Sequence, residues 1–332
     1  MRSLMKKYEV PSASIAIIED FQISKLDFHG NKSRVLGEPV TDKTLYQAAS
    51  ISKPLTAISV LQQIGLGCFT LNTPVNSLLR SWKIPKCKFT SVNPVHIEHL
   101  LNHSSGLTVE GFLGYEKEDK LPSLQNILRG DGTTNSGKVF VDSTVGSNFK
   151  YSGGGYTVLQ LLLEEHFSCG FSAYMRKNIF SLLNLESPSF DQPLASSRLN
   201  EIAFGNPLDN ELGEKYHIYP EQAAAGLWIS AKDLALILID FKKSLYNDGG
   251  KLLSQNLARL MIEPTVSKDI GLGFALRGNY FYHGGWNEGY SSAFIAHKEK
   301  GYGLVALTNA NKPEFIEELI ITFSKSQNWD AI

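Results

Sequence analysis

Cysteine is scarce in this sequence: Cys68, Cys87 and Cys169 are the only three among 332 residues. Their odd number and wide spacing do not match a disulfide framework, and no C-x-x-C pair suggests a metal or redox site. We therefore expect all three to be small, buried hydrophobic residues.

Long apolar runs are also missing. The first apolar run, residues 15–18, is short and is followed by Glu19 and Asp20. No segment approaches the roughly 20 apolar residues that a membrane span requires. The basic N-terminus lacks the apolar core of a signal peptide. We expect a cytoplasmic protein without a membrane span. A periplasmic or extracellular location stays open if a signal peptide has been removed.

Neither sign of charge is in excess, since 32 basic residues balance 33 acidic ones. No half of the chain is conspicuously basic, so nucleic acid is not an expected partner. The 42% of hydrophobic residues is typical of a globular protein with a sizeable core. We expect a small-molecule or short-peptide substrate, and the oligomeric state is left open.

Motifs of several other enzyme classes are absent as well. There is no G-x-S-x-G nucleophile elbow and no G-x-x-x-x-G-K-[ST] phosphate loop. His96, His99 and His103 fall at helical spacing, which leaves a metal site as an alternative. Their spacing does not match H-E-x-x-H. We expect no metal and no organic cofactor.

The two ends of the chain predict strands, whereas the middle predicts helices. Strands are predicted at 12–18, 22–29, 271–276, 279–283, 291–297 and 302–308. Helices are predicted near the N-terminus and at 51–66, 156–165, 171–183, 230–245 and 313–324. The helix at Ser230 begins with a capping box whose acidic residue is Asp233. This order implies an α+β fold whose sheet is built from both termini.

The polar, weakly periodic segment 112–148 has a different character. Its length without regular elements predicts a surface excursion over a functional site.

Ser50 and Lys53 form the first chemically suggestive pair. Three residues apart at a helix start, their side chains lie on one face. The helix N-terminus adds a partial positive charge and free N–H groups, which suit a serine nucleophile. Because the same pattern also occurs at Ser3 and Lys6, the motif alone carries little weight. The small residues before Ser50 and the apolar helix after it are what distinguish it.

Two glycine-rich segments could complete such a site. Tyr151 precedes Ser152 and three glycines, in a loop expected just before the helix near Thr157. His283 precedes Gly284, Gly285 and Trp286 at the end of a predicted strand. Glycines there leave the backbone open to a substrate. Taken singly, each segment could be purely structural, with a packed tyrosine or a hydrogen-bonded histidine.

The three segments together resemble the serine β-lactamase and penicillin-binding-protein-like superfamily. The resemblance is nearest to the branch of class C β-lactamases and D,D-peptidases, including its esterase and peptidase members. It extends from about residue 10 to residue 310, and further stretches agree: Val10-Pro11-Ser12, Gln47 to Ser50, His99 to Leu107 and Ala223 to Leu227.

The resemblance implies roles for these residues. Ser50 would be the nucleophile, Lys53 its base partner and Tyr151 a second proton-transfer group. His283 would take the place of the family's lysine, binding a substrate carboxylate or sharing protons. The backbone N–H groups of Ser50 and Trp286 would bind the oxyanion.

The implied fold is a single β-lactamase-like domain over 1–332. Residues 1–65 and 220–332 would form the α/β sheet part, flanked by helices. Residues 66–219 would form a mostly helical inserted part.

One departure concerns Gly153, which stands where the family often has asparagine. Together with His283 it favours ester, amide or peptide hydrolysis over β-lactam turnover. The expected function is therefore that of a serine hydrolase with a Ser50 acyl-enzyme. The alternative is a catalytically weak penicillin-binding or ligand-sensing protein of the same fold.

Overall fold

Eight strands form two sheets in the described part of the chain. The computed structural model describes residues 1–33, 37–132, 134–206, 215–246 and 249–330. The strands are β1 (Ser12–Glu19), β2 (Gln22–Gly30), β3 (Tyr46–Ala49), β4 (Leu227–Ile229), β5 (Ala275–Arg277), β6 (Tyr280–Asn287), β7 (Tyr290–His297) and β8 (Gly303–Thr308). Six of them form an antiparallel sheet in the order β2-β1-β8-β7-β6-β5, and β3 pairs with β4.

Twelve α-helices surround these strands in the described residues. They are α1 (Arg2–Tyr8), α2 (Ser52–Gly65), α3 (Val75–Leu78), α4 (Lys88–Val92), α5 (Ile97–Leu101), α6 (Leu124–Arg129), α7 (Gly153–Phe167), α8 (Phe171–Met175), α9 (Gln222–Ala225), α10 (Ala231–Leu245), α11 (Gln255–Ile262) and α12 (Pro313–Ser326). A π-helical turn, Arg176–Phe180, and a 3₁₀ turn, Ser181–Leu183, continue α8, and a second 3₁₀ segment is Ser196–Glu201.

Both faces of the large sheet are covered, which explains the almost uninterrupted apolar sequence of β1. Successive side chains of a strand point to opposite faces. Ala16 and Ile18 enter the main core, which α2, α7 and α10 share. Ile15 and Ile17 enter a second core together with Phe315 of α12.

The predicted α+β fold with a sheet built from both termini is confirmed. β1 pairs with β8 from Ala13 opposite Thr308 to Ile18 opposite Gly303, which joins the two ends of the chain. The division into a sheet part and a helical part of one domain stays a prediction. No helix among the described residues is long and apolar enough to cross a membrane.

Several strand predictions need correction. β3 and β4 were not predicted, because three or four apolar residues beside a helix give no clear alternation. The strand predicted from Gly271 begins only at Ala275, since Gly273 has a φ of +85° and turns the chain. β6 does not end at His283 but continues to Asn287.

The start of α7 also differs from the prediction. The helix begins at Gly153 rather than near Thr157, so the three glycines form its first turn. Its N-cap is Ser152, whose Oγ accepts a hydrogen bond from the N–H of Gly155 at 3.0 Å. By contrast, the Ser230 half of the capping box predicted for α10 is confirmed, because Ser230 Oγ accepts from the N–H of Asp233.

The expectation that all cysteines are buried is wrong. Cys68 and Cys169 are exposed, and Cys87 is partly exposed. Cys68 and Cys169 each follow the end of a helix, α2 and α7 respectively, where the chain turns at the surface.

Candidate active site

Ser50 lies in the short turn that joins β3 to α2. Ala49 has a left-handed φ of +50°, which reverses the chain just before the serine. Ser52 stabilises this turn, because its Oγ donates to the carbonyl of Ala49 at 2.7 Å and accepts from the N–H of Leu227 at 3.0 Å. Ser50 stays partly exposed while its neighbours in the turn are buried. The local fold therefore presents the Ser50 hydroxyl at the surface of a cleft.

Lys53 is buried directly beneath Ser50. Its side chain is 2% exposed, and its Nζ donates to Ser50 Oγ at 2.9 Å and to the carbonyl of Ala224 at 2.8 Å. No carboxylate forms an ion pair with Lys53 within the described ranges. The Nζ of Lys53 is thus directed at the Ser50 hydroxyl rather than at an acid.

Tyr151 covers Lys53 from the other side. The Nζ of Lys53 lies 4.9 Å from the centroid of the Tyr151 ring. Tyr151 immediately precedes the N-cap of α7, so the position of its ring depends on how that helix begins. The structure therefore brings Ser50, Lys53 and Tyr151 together.

His103 is a neighbour of Tyr151 that the sequence did not identify as part of the site. Its ring stacks on that of Tyr151, with centroids 4.4 Å apart. Its Nδ1 accepts a hydrogen bond from the N–H of Ser152 at 3.0 Å. The only signal in the sequence was its place among three spaced histidines, which suggested a metal instead.

Both buried histidines of the site are held in the neutral form. Burial, followed by the charge of Lys53, lowers the pKa of His283 to about 4. The same causes lower the pKa of His103 well below its usual value. The Nδ1 of His283 donates to the carbonyl of Gly284 at 2.6 Å, which leaves Nε2 as the acceptor. In this form the ring has no free N–H for a substrate carboxylate, and the expected role of His283 in binding a carboxylate or sharing protons stays a prediction.

The space beside Gly153 is already filled. A Cβ at this position would lie 2.8 Å from the ring of Phe112 and 2.9 Å from the carbonyl oxygen of Glu110. The same carbonyl accepts a hydrogen bond from the N–H of Gly153 at 3.0 Å. An apolar ring and a backbone carbonyl therefore stand where an asparagine side chain would need room.

β6 forms the opposite wall of the site. A Cβ at Gly285 would lie 2.2 Å from the carbonyl oxygen of Ala48, so only glycine allows β6 to approach β3 this closely. The hydroxyl of Ser292 donates to the same carbonyl at 2.8 Å. β5 pairs with β6 only as far as Tyr282, and no other described strand pairs with that side beyond it. The backbone from His283 to Trp286 is thus an open edge beside Ser50.

Three clefts meet around these residues. The large cleft, about 850 Å³, is lined by Ser50, Tyr151 and Trp286 and continues towards α12. The small cleft, about 210 Å³, is lined by Ser50, Lys53 and Phe112. The side cleft, about 340 Å³, is lined by Tyr151, His103 and His283. The first residues of the segment 112–148, Phe112 and Leu113, do lie over the site as expected.

The three spaced histidines are engaged in local hydrogen bonds. His99 Nδ1 accepts from the N–H of His96 at 3.1 Å, while His103 is directed towards Ser152. Within the described part of the chain no group of three or more His, Cys, Asp or Glu side chains could hold a metal ion. The second S-x-x-K match, Ser3 to Lys6, lies in α1, whose apolar residues pack in the second core.

Known sequences similar to this chain include one family model and several penicillin-binding-protein-like relatives. The family model described as Beta-lactamase matches residues 1–324. Penicillin-binding protein 4* of Bacillus subtilis (strain 168) is 23% identical over 307 residues, which are 85% of this chain and 64% of that protein. Protein flp of Staphylococcus aureus (strain COL) is 23% identical over 326 residues, which are 95% of this chain and 63% of that protein. The chain thus spans less than two thirds of the length of these relatives.

Solved structures share the same fold. The octameric penicillin-binding protein homologue from Pyrococcus abyssi superposes with a TM-score of 0.80 at 22% identity, covering 99% of this chain and 76% of the other. A β-lactamase/D-alanine carboxypeptidase from Pseudomonas syringae gives a TM-score of 0.75 at 18% identity, covering 99% and 97%. Since the family model matches nearly the whole chain, this protein belongs to the β-lactamase family.

Proposed function

We propose that this protein is a serine hydrolase that cleaves an ester, amide or peptide bond through an acyl-enzyme on Ser50. The observation that carries the proposal is the 2.9 Å hydrogen bond between Lys53 Nζ and Ser50 Oγ. A buried lysine directed at a partly exposed serine is the arrangement that nucleophilic catalysis requires.

The proposed reaction takes place in the fraction of the enzyme whose Lys53 is a neutral amine. Ser50 Oγ attacks the substrate carbonyl while its hydroxyl proton passes to the free electron pair of Lys53 Nζ. The N–H groups of Ser50 and Trp286 stabilise the oxyanion, and one such donor is worth roughly 3–4 kcal/mol of activation free energy. Tyr151 then gives its phenolic proton to the leaving atom and regains one from Lys53. A water molecule finally attacks the acyl-enzyme, which releases the acid and restores the Ser50 hydroxyl.

The immediate surroundings favour esters over β-lactams. Phe112 fills the space where the family's asparagine would bind a substrate amide. His283 is neutral and its free Nε2 is an acceptor, so it offers neither a positive charge nor an N–H donor to a carboxylate and suits a substrate O–H or N–H instead. The substrate we propose is a small molecule or a short peptide, and the reaction needs no metal or organic cofactor. Assignment to the class C and D,D-peptidase branch is part of the same proposal.

A covalent probe tests the nucleophile. A fluorophosphonate should add its mass to the peptide that contains Ser50, and Ser50→Ala should abolish both labelling and hydrolysis of p-nitrophenyl acetate. Ser3→Ala removes the serine of the second S-x-x-K match and is the matched control, which should behave like the wild type. Labelling that survives Ser50→Ala would overturn the assignment.

A catalytically weak penicillin-binding or sensing protein is the second candidate, and Gly153 is the observation that favours it. In this second function, acylation of Ser50 is faster than deacylation because no carboxamide is present at position 153, and the acyl-enzyme accumulates. Stopped-flow kinetics separates the two functions. Steady turnover of p-nitrophenyl acetate supports the hydrolase, whereas one equivalent of nitrophenol followed by arrest supports the sensor.

A further inference from the structure

Several exposed apolar side chains line the clefts of the site. The described residues include nine exposed large hydrophobic side chains, and four of them line the three clefts: Leu113, Phe149, Trp286 and Ile321. Single exposed apolar residues are ordinary, but a contiguous group of them usually marks a binding surface.

The large cleft leads from Ser50 across β6 onto the sheet face that α12 covers. Its floor is mainly apolar and includes Tyr282 of β6, Ile295 of β7 and Ile320 of α12. The charged side chains of Arg277 and Glu317 also line this cleft. The connection between Ser50 and this floor crosses Gly284, where an added Cβ would meet no heavy atom closer than 3.8 Å. The passage is therefore open, and the floor is continuous with the nucleophile.

The position of Tyr151 indicates which part of a substrate each cleft receives. In the proposed function, Tyr151 gives its proton to the leaving atom, so the leaving group must lie on the side of Tyr151. Tyr151 lines the large cleft and the side cleft but not the small cleft, and Ser50 lines only the large and small clefts. The acyl part is thereby assigned to the small cleft of about 210 Å³ and the leaving group to the large cleft of about 850 Å³.

We infer that the large cleft binds a long apolar leaving group, so that the preferred substrates are short-acyl esters of long-chain alcohols. This inference rests on the proposed function, because it uses the role of Tyr151. Water attack on the short acyl-enzyme then releases the short acid, and the alcohol carries the proton supplied by Tyr151.

Two ester series test the assignment. In the alcohol series, kcat/KM should rise at least about tenfold from ethyl acetate to octyl acetate. Each fully buried methylene favours the transition state by a factor of about four, so burial of two of the six added methylenes is sufficient. In the acyl series, p-nitrophenyl octanoate should be no better than p-nitrophenyl acetate. A rise confined to the acyl series, or no rise in either, would overturn the inference.

Substitutions on the floor of the large cleft test whether the alcohol chain of the substrate binds there. Ala293 lies opposite Gly284 in the β6–β7 pairing, so Ala293→Phe should fill the floor and lower the ratio of octyl to ethyl acetate activity about tenfold. Ile321→Gln should lower the ratio about threefold, and it changes an exposed residue that folding does not need. Val92→Phe, at a position that is 86% exposed and outside the clefts, is the matched control and should leave the ratio unchanged.

A binding measurement separates failure of this inference from failure of the proposed function. Ser50→Ala should bind 1-octanol more tightly than ethanol in ligand-detected NMR, and Ala293→Phe in the same background should abolish the difference. Octanol binding without hydrolysis of any ester would refute the hydrolase and keep the apolar cleft. Hydrolysis through Ser50 without octanol binding would keep the hydrolase and refute the large cleft as the site of the alcohol.

A second copy of the chain is the other possible occupant of the large cleft. A dimer that Ile321→Gln dissociates, together with equal kcat/KM values along the alcohol series, would assign the cleft to that second copy and overturn the inference.

Discussion

The imidazole of His103 stacks on the phenol ring of Tyr151, with ring centroids 4.4 Å apart and planes inclined by 26°. Because its Nδ1 accepts the N–H of Ser152, the same histidine also fixes the residue that follows Tyr151. This contact needs an unprotonated Nδ1. Burial, followed by the charge of Lys53, keeps the pKa of His103 low enough to provide it.

The first prediction concerns the pH dependence of catalysis. Burial and then Lys53 lower the pKa of His283 to about 4, and the pKa of His103 is lowered as well. Neither ring should therefore gain a proton between roughly pH 5.5 and 7, although an ordinary histidine titrates near 6.5. We expect kcat/KM for p-nitrophenyl acetate to show no inflection near pH 6.5. Protonation of His283 should lower kcat/KM only as the pH approaches 4, where it adds a positive charge near Lys53.

An acid limb centred near pH 6.5 would contradict this expectation. If that limb disappeared in His283→Asn or in His103→Asn, the responsible ring would be identified.

The second prediction concerns Gly153→Asn, which introduces the residue that the family often has. The new side chain must displace the carbonyl of Glu110 or the ring of Phe112. Overpacking of this kind costs about 1–3 kcal/mol of the free energy of unfolding. We expect a lower melting temperature and no gain in nitrocefin hydrolysis. Gly155→Ala is the matched control in the same helical turn, because its Cβ meets nothing closer than 3.6 Å.

The combination of Gly153→Asn with Phe112→Ala removes one of the two close contacts. It should recover part of the lost stability, as measured by thermal unfolding. A fully stable Gly153→Asn single variant with rapid nitrocefin turnover would refute this explanation of the glycine.

The sequence predicted Ser50 and Lys53 well because their relationship is local: three residues at a helix start lie on one face wherever the helix packs. His103 and Phe112 could not be predicted, since each reaches the site through contacts with residues about 40 to 50 positions away. The start of α7 was misjudged for a related reason. Glycine is a poor helix former, but the carbonyls of Val109 and Glu110 accept the N–H groups of its first turn.

The third prediction uses the close approach of β6 to β3. A Cβ at Gly285 would lie 2.2 Å from the carbonyl oxygen of Ala48 and 2.5 Å from Ser292 Oγ. Gly285→Ala should therefore separate the two strands, cost about 1–3 kcal/mol of the free energy of unfolding, and lower kcat by moving the turn that carries Ser50. Urea unfolding and ester kinetics measure the two effects.

Gly284→Ala is the matched control for stability, because its Cβ would meet nothing closer than 3.8 Å. Equal stability losses in the Gly284 and Gly285 variants would show that the spacing between the strands does not depend on Gly285.

The fourth prediction concerns Glu221, a buried acid next to α9. Both carboxyl oxygens are buried and have no hydrogen-bond partner among the described residues. Burial raises the pKa of Glu221 from about 4.5 to about 8. A raised pKa means that the folded state binds the proton more tightly than the unfolded state. Its contribution to stability is therefore complete below pH 4.5 and is lost as the pH rises to 8, by at most about 1.4 kcal/mol per pH unit.

Glu221→Gln cannot ionise, so its free energy of unfolding should fall less steeply with pH than that of the wild type between pH 5 and 8. Urea unfolding at each pH gives the difference. Glu165→Gln is the control, because the pKa of Glu165 is lowered whereas that of Glu221 is raised. Burial there opposes ionisation, but hydrogen bonds from Ser81 and Arg80 outweigh it and lower the pKa of Glu165. Removing that acid should change stability by a constant amount above pH 5. A constant difference for Glu221→Gln as well would mean that its carboxyl is already hydrated or paired in the folded protein.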